Sequence, residues 1–226
     1  MAKIVFSAVV GDARKKAGGV VFTKGRSGAV VRRKVSPIQP RSSAQRNVRA
    51  DFSAISKSWS GASMDDAKRA AWNALAQNYP VKDKFGASHV LTGLQMFQKL
   101  NRVLATMGVG TLYVAPATLS AGFPGTLTVT ATAPATLTFT CSNTIPAGEN
   151  IMIFGAAQQS PGRTFVGSRF RFLDNLPQAA SYDVGAKYVA KFGALIATKK
   201  VPLLVRNANT ATGATSIAAE ALKVVS

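Results

Sequence analysis

The spacing of apolar positions changes character along the chain, from a four-residue rhythm in the first half to a two-residue rhythm in the second. Between residues 42 and 108, apolar positions recur at three and four. Val48, Phe52, Ile55 and Trp59 form one such stripe. That spacing lines up one face of a helix and predicts a first helix over about 43–58, with Ser42 or Ser43 as N-cap. A second helix is predicted from Ser63, with Asp66 three residues on as a near capping box. It is rich in Ala67, Ala70, Ala71, Leu75 and Ala76, all good helix formers, and ends at Asn78-Tyr79-Pro80. A third starts at Thr92 with Gln95 as box partner. Leu94, Phe97, Leu100, Val103, Leu104 and Met107 give it an apolar face, and Gly108 is a natural stop.

From Thr111 the period becomes two. Leu127, Val129 and Ala131 alternate with threonines, and Ala135, Leu137 and Phe139 do so again. Alternation puts one set of side chains on each face of a strand. Residues 151–155 are apolar throughout, as in a strand covered on both faces. Residues 169–173 alternate, and 184–198 with 200–205 supply two or three more strands. Short strands separated by Pro, Gly and Asn turns every 8–12 residues or so predict a β-sandwich. The Cys…Trp…Cys spacing of antibody domains is missing, so a fibronectin-type-III-like unit is the better analogy within the immunoglobulin-like class.

The first forty residues follow neither pattern for long. Residues 4–6, 18–23 and 29–35 are short β-like runs, and Lys24, Gly25, Arg26, Ser27 and Gly28 read as the turn of a hairpin between the last two. Ser36-Pro37-Ile38-Gln39-Pro40 ends any ladder. A lone hairpin of this size is marginal in water and needs something to lie against. The expected class is therefore α+β: a basic β-hairpin arm (1–41), a three-helix module (42–110) and an antiparallel immunoglobulin-like β-sandwich (111–226).

Charge adds a partner to that picture. The 226 residues carry 28 Lys and Arg against 9 Asp and Glu, a net +19. Residues 1–50 hold 12 of the basic residues and one acid, a net +11. Such a block must find counter-charge in nucleic acid, an anionic surface or an acidic neighbouring subunit. The candidate contacts are Arg14, Lys15, Lys16, Lys24, Arg26, Arg32, Arg33, Lys34, Arg41, Arg46 and Arg49. A single cysteine, Cys141, excludes an internal disulfide framework. No stretch approaches the roughly 18 apolar residues of a membrane span. The order of charge and apolar run at the start is wrong for a secretory signal. The expectation is a soluble protein, made in the cytoplasm, with no membrane contact.

Chemistry for catalysis is scarce. His89 is the only histidine, and no nucleophile elbow accompanies nearby Asp83 and Ser88. One Cys, one His and few clustered acids offer no metal set, and Asp65-Asp66 is explained by a helix start. Glu149, Asp174, Asp183 and Glu220 lie in turn-like or terminal contexts, not as a paired set. Gly18-Gly19 and the glycines at 25 and 28 match no phosphate loop, since no helix follows them. Trp59 and Trp72 sit on apolar stripes and predict core packing over base stacking. Cys141, in a strand between Thr140 and Ser142, reads as a small buried apolar residue. No enzymatic activity and no cofactor are expected.

One string of residues has a family likeness. It comprises Gly18-Gly19-Val20-Val21-Phe22, Gly28, Val30-Val31-Arg32 and Ser36-Pro37-Ile38-Gln39-Pro40, then Gln45, Arg49, Phe52, Ser56 and Trp59. It closes with Lys68-Arg69-Ala70-Ala71-Trp72, Pro80, Gly86, Thr92-Gly93, Phe97 and Asn101. This resembles a group of uncharacterised proteins encoded in bacteriophage and prophage genomes, which join such a block to a C-terminal fibronectin-like domain. The resemblance covers roughly residues 17–110 and departs from the pattern at 61–65. It implies a phage virion protein, in head, neck or tail, assembling with other virion proteins or copies of itself. The basic arm would lay a strand on a neighbour's sheet edge or face packaged DNA. Two alternatives stand beside it: a nucleic-acid-binding protein using the arm, and a host-surface adhesin using exposed Tyr113, Tyr182 or Tyr188 of the sandwich.

Overall fold

Four strands, not three, build the N-terminal segment: β1 (Ala2–Ile4), β2 (Lys15–Ala17), β3 (Val20–Gly25) and β4 (Gly28–Arg33). The computed structural model describes residues 2–5, 13–25, 28–36, 42–83 and 85–226. The four strands pair antiparallel in the order β1-β4-β3-β2. The expected hairpin is its centre, with Phe22 opposite Val31 and Gly25 opposite Gly28. β2 has the sequence Lys-Lys-Ala, with no apolar alternation to announce it. Gly18 holds a positive φ of 56° in the turn that joins β2 to β3, a conformation that glycine adopts without strain.

The helices follow as α1 (Ser43–Ser60), α2 (Asp66–Asn78) and α3 (Gly93–Thr106). Ser42 caps α1 by accepting from Gln45 N at 3.3 Å. The expected start of α2 at Ser63 is corrected: the N-cap is Asp65, which accepts from Lys68 N at 2.8 Å. A carboxylate outcompetes the serine hydroxyl there because it also meets the positive end of the helix. α3 has the expected capping box. Thr92 Oγ1 accepts from Gln95 N, and Gln95 Oε1 accepts from Thr92 N. Between α2 and α3, β5 (Val81–Lys82) and β6 (Ser88–His89) form a short ribbon, whose turn Asp83 closes by accepting from Phe85 N and Ala87 N.

Ile55, Met64, Trp72, Leu75, Ala76, Met96, Phe97 and Leu100 form one buried core. Trp72 is fully buried, with its ring edge-on to Phe97 at 5.3 Å, and Trp59 meets the same ring at 5.3 Å. Both tryptophans therefore pack, as their stripes predict. The α1 stripe is only half used. Ile55 is buried, but Val48 and Phe52 are each 51% exposed.

A second core lies in the C-terminal half. β7 (Leu127–Thr132), β8 (Thr136–Cys141) and β11 (Tyr182–Asp183) form one antiparallel sheet. β9 (Glu149–Gly155), β10 (Arg171–Leu176), β12 (Lys200–Asn209) and β13 (Ala219–Val224) form another, in the order β10-β9-β12-β13. Val129, Leu137 and Phe139 from the first share one apolar cluster with Ile151, Ile153, Leu203 and Val205 from the second. The threonines of β7 point outward and its valine and alanine inward, as alternation requires. The expected strand over 184–198 is corrected: α4 (Gly185–Phe192) occupies it. Val184, Ala186, Tyr188 and Ala190 fit a period of two, but Val184, Tyr188 and Phe192 also fit i, i+4, i+8. The helical period prevails because it buries Tyr188 completely, with its hydroxyl donating to Ala156 O at 2.7 Å.

The two cored regions are tied together. Trp72 Nε1 donates to Tyr113 O at 2.9 Å, and Asn101 Oδ1 accepts from Leu112 N at 2.6 Å. Leu112, Tyr113, Ala115 and Leu119 pack on the helical core, although they lie beyond the last helix. Leu119 N donates to Tyr79 Oη at 2.9 Å, and Gly122 N to the buried carboxylate of Glu149 at 2.9 Å. Gly213, in the loop after β12, sits so close to α3 that a Cβ there would lie 2.4 Å from Leu100 O.

Candidate interaction surface

Register decides which side chains of the N-terminal sheet stand together, since paired residues share a face and neighbours along a strand alternate. Ile4, Val20, Phe22, Ala29 and Val31 fall on one face. Lys15 stands opposite Phe22, Lys24 opposite Ala29 and Arg33 opposite Val20, so these cations ring the same face. The other face carries Lys16, Val21, Thr23, Val30 and Arg32. None of residues 4, 15–17, 20–25 and 28–33 of this sheet is buried, and neither apolar core includes any of them. Ile4, Val20, Phe22, Ala29 and Val31 are half-buried, so this face is apolar and partly open without belonging to either core.

The sheet's edges are poor templates by comparison. β3 and β4 each have neighbours on both sides. Only β1 and β2 are edges, each three residues long, and β2 contributes two lysines. Short, charged edges resist strand addition.

The candidate contact residues are placed as follows. Arg14, Lys15, Lys16, Lys24, Arg32, Arg33, Lys34, Arg46 and Arg49 are all exposed. The first seven belong to the N-terminal sheet or its immediate flanks, and Lys34 N is fixed to Gly19 O at 2.8 Å. Arg46 and Arg49 project from the first turns of α1, which contain no acidic residue. Their charge adds to the positive end of the helix dipole, where an acidic side chain is the stabilising choice. Arg26 and Arg41 lie outside the described residues.

Other candidate residues have structural employment. Asp65 bonds the Lys68 backbone and side chain, which holds its carboxyl below the ordinary carboxylate range, and Asp66 pairs with Arg69 at 2.6 Å. Asp174 pairs with Lys187, and Asp183 accepts from Gly185 N at the start of α4. Burial raises the Cys141 thiol and the Tyr182 and Tyr188 hydroxyls above their usual values. The expectation of exposed tyrosines on the sandwich is corrected. Tyr182 is 2% exposed and stacks on Phe139, Tyr188 is fully buried, and Tyr113 is half-buried against the helical core. Each apolar ring is worth more in the core than at a strand surface. Among the described residues, no three His, Cys, Asp or Glu side chains gather as a metal site, and no helix is long and apolar enough to cross a membrane.

The chain matches no protein-family model and no curated protein sequence.

Proposed function

We propose that the chain is a structural component of a bacteriophage virion which joins its assembly through the N-terminal sheet. The supporting observation is the contrast just described: a paired sheet whose half-buried apolar face is ringed by Lys15, Lys24 and Arg33 and, among the described residues, belongs to neither apolar core. Docking of that face buries apolar area while the surrounding cations meet acidic groups on the partner. Face-on docking replaces strand addition as the mode, because the central strands are already paired. The two C-terminal sheets around one core are read as an immunoglobulin- or fibronectin-like sandwich that makes lateral contacts, held rigidly on the helical module. The resemblance of residues 17–110 to phage-encoded proteins supports the virion location.

The test is mass spectrometry of purified particles of a phage carrying this gene, with the intact chain and with residues 1–41 deleted. The proposal expects the intact chain in the particle and loss of the deleted form. Normal incorporation of the deleted form would overturn the arm's role, and absence of the intact chain would overturn the virion location.

A second reading is favoured by one observation, the exposure of nine cations between Arg14 and Arg49. Those residues would bind nucleic acid through phosphate neutralisation and counterion release. Affinity would then fall steeply with salt. A gel shift at two salt concentrations tests it, and absent or salt-independent binding rejects it.

A further inference from the structure

The C-terminal module has its own basic cleft, separate from the arm. It encloses about 550 Å³ between β10, α4 and the segment after β9. Arg169 and Arg171 line it from the short helical turn before β10 and from the first residue of that strand. Lys191 and Phe192 face them from the last turn of α4, Phe170 lies between the arginines in sequence, and Gln159 lies on the remaining side. Arg169, Arg171 and Lys191 are exposed, while Phe170 and Phe192 are half-buried walls.

The walls are held in place. Gln159 is 7% exposed, accepts from Arg163 Nη1 at 3.0 Å and donates to Ala157 O. Lys200 pairs with Gln159 through the backbone and its Nζ donates to Arg163 O at 3.4 Å, so two further cations stand beside Gln159. Phe192 is braced by Tyr188, with ring centroids 4.9 Å apart. Lys191 Nζ donates to Phe172 O on β10.

No acid lines the cleft. The module's four carboxylates are engaged elsewhere: Glu149 with Gly122 N, Asp174 with Lys187, Asp183 with Gly185 N, while Glu220 lies on β13 at the far edge of the sheet. Among the described residues, none forms an ion pair with Arg169, Arg171 or Lys191. Five of the nine basic residues after position 110 thus gather here without a carboxylate partner. That arrangement excludes a metal cation and disfavours a purely apolar ligand. It suits an anion, and guanidinium forks match the paired oxygens of a phosphate. The phenyl walls add a surface for a flat ring beside that anion. The volume lies within the range of single small-ligand sites and is too small for a duplex. An acidic peptide adding to the edge of β10 is the less favoured occupant, because Lys191 already takes the Phe172 carbonyl.

We infer that the cleft formed by Arg169, Arg171, Lys191, Phe170 and Phe192 binds a nucleotide unit, with phosphate on the cations and the base against the phenyl rings. The unit has two possible sources, a free mononucleotide or one residue of a single strand. This inference is independent of the arm's role, and its failure leaves that reading untouched.

The test uses the full chain and three of its variants: Arg169→Gln/Arg171→Gln, Phe170→Ala, and the arm control Arg32→Gln/Arg33→Gln. The substituted cations are exposed, and a thermal melt of each variant checks its fold. Calorimetric titrations use dTMP, the pentanucleotide p(dT)5 and inorganic phosphate separately. The expected result is dTMP or p(dT)5 binding that falls at least tenfold in the Arg169/Arg171 variant, falls more for nucleotide than for phosphate in Phe170→Ala, and for dTMP is unchanged in the arm control. Tighter binding of p(dT)5 than of dTMP in the arm control identifies the single strand as the source, and equal binding identifies the mononucleotide. No binding of either, loss of dTMP binding in the arm control alone, binding of phosphate as tight as that of dTMP, or equal affinity for a glutamate pentapeptide would each overturn the inference.

Discussion

The N-terminal segment and the C-terminal half both hold antiparallel sheets built by the same local rules and finished differently. In the C-terminal sheets, alternation puts Val129, Leu137, Phe139, Ile153 and Leu203 on facing surfaces, and each sheet is the other's second layer. In the N-terminal sheet, alternation places Val20, Phe22 and Val31 on one face with nothing from either core over it. Strand pairing satisfies backbone hydrogen bonds in both. Only the first removes its apolar face from water completely, while Val20, Phe22 and Val31 are half-buried, and burial supplies most of the stability of a fold. Strand pairing and burial of an apolar face are therefore separate contributions, and the N-terminal sheet makes the first more fully than the second.

Substitution at equivalent positions breaks this comparison most sharply. Trp72→Ala in the helical core is expected to cost about 3–5 kcal/mol of unfolding free energy. Phe22→Ala, on the half-buried face of the N-terminal sheet, should cost the isolated chain less, about 1 kcal/mol. Denaturant titration of both variants checks the difference, and a comparable loss from Phe22→Ala would mean that its face is already covered.

The link between the two cored regions is next in size. Gly213 has φ +73° and no room for a Cβ against Leu100 O. Gly213→Val should cost about 1–3 kcal/mol through strain and separation of the loop from α3. A thermal melt reads it, and an unchanged midpoint would show that the loop moves aside freely. Tyr79→Phe removes the acceptor of Leu119 N at the same junction and should cost about 1 kcal/mol by the same measurement.

The smallest expected effect is a pH dependence. Lys68 holds the Asp65 carboxyl below its unfolded value, so the stability it contributes is present above the unfolded pKa and lost as pH falls through the folded one. The melting midpoint of Asp65→Ala should lie below that of the intact chain at neutral pH and converge with it in acid. A gap that persists in strong acid would assign the effect to something other than the carboxylate.

Local patterns carried much of this architecture. Ser42, Thr92 with Gln95, and the stripe through Leu94, Phe97 and Leu100 marked α1 and α3, because caps and helical spacing act over a few residues. The alternating threonines of β7 and β8 did the same for those strands. Residues 184–192 were ambiguous because one string of Val, Ala and Tyr satisfies both periods, and only the distant Ala156 carbonyl favours the helix. β2 was hidden because Lys15-Lys16-Ala17 is shaped by pairing with β3 and not by its own composition. The basic arm was legible from charge alone. The Arg169–Lys191 cleft was not, since its cations come from a turn, a strand and a helix that meet only in the fold.

Amide hydrogen exchange on the isolated full-length chain tests the central claim most directly. If the N-terminal sheet lacks a covering layer, the paired amides of β3 and β4 exchange through low-energy opening and are orders of magnitude less protected than those of β9 and β12. Protection of Val21, Phe22 and Val31 equal to that of Ile153 and Leu203 would contradict it, because the sheet would then be stable within its own chain.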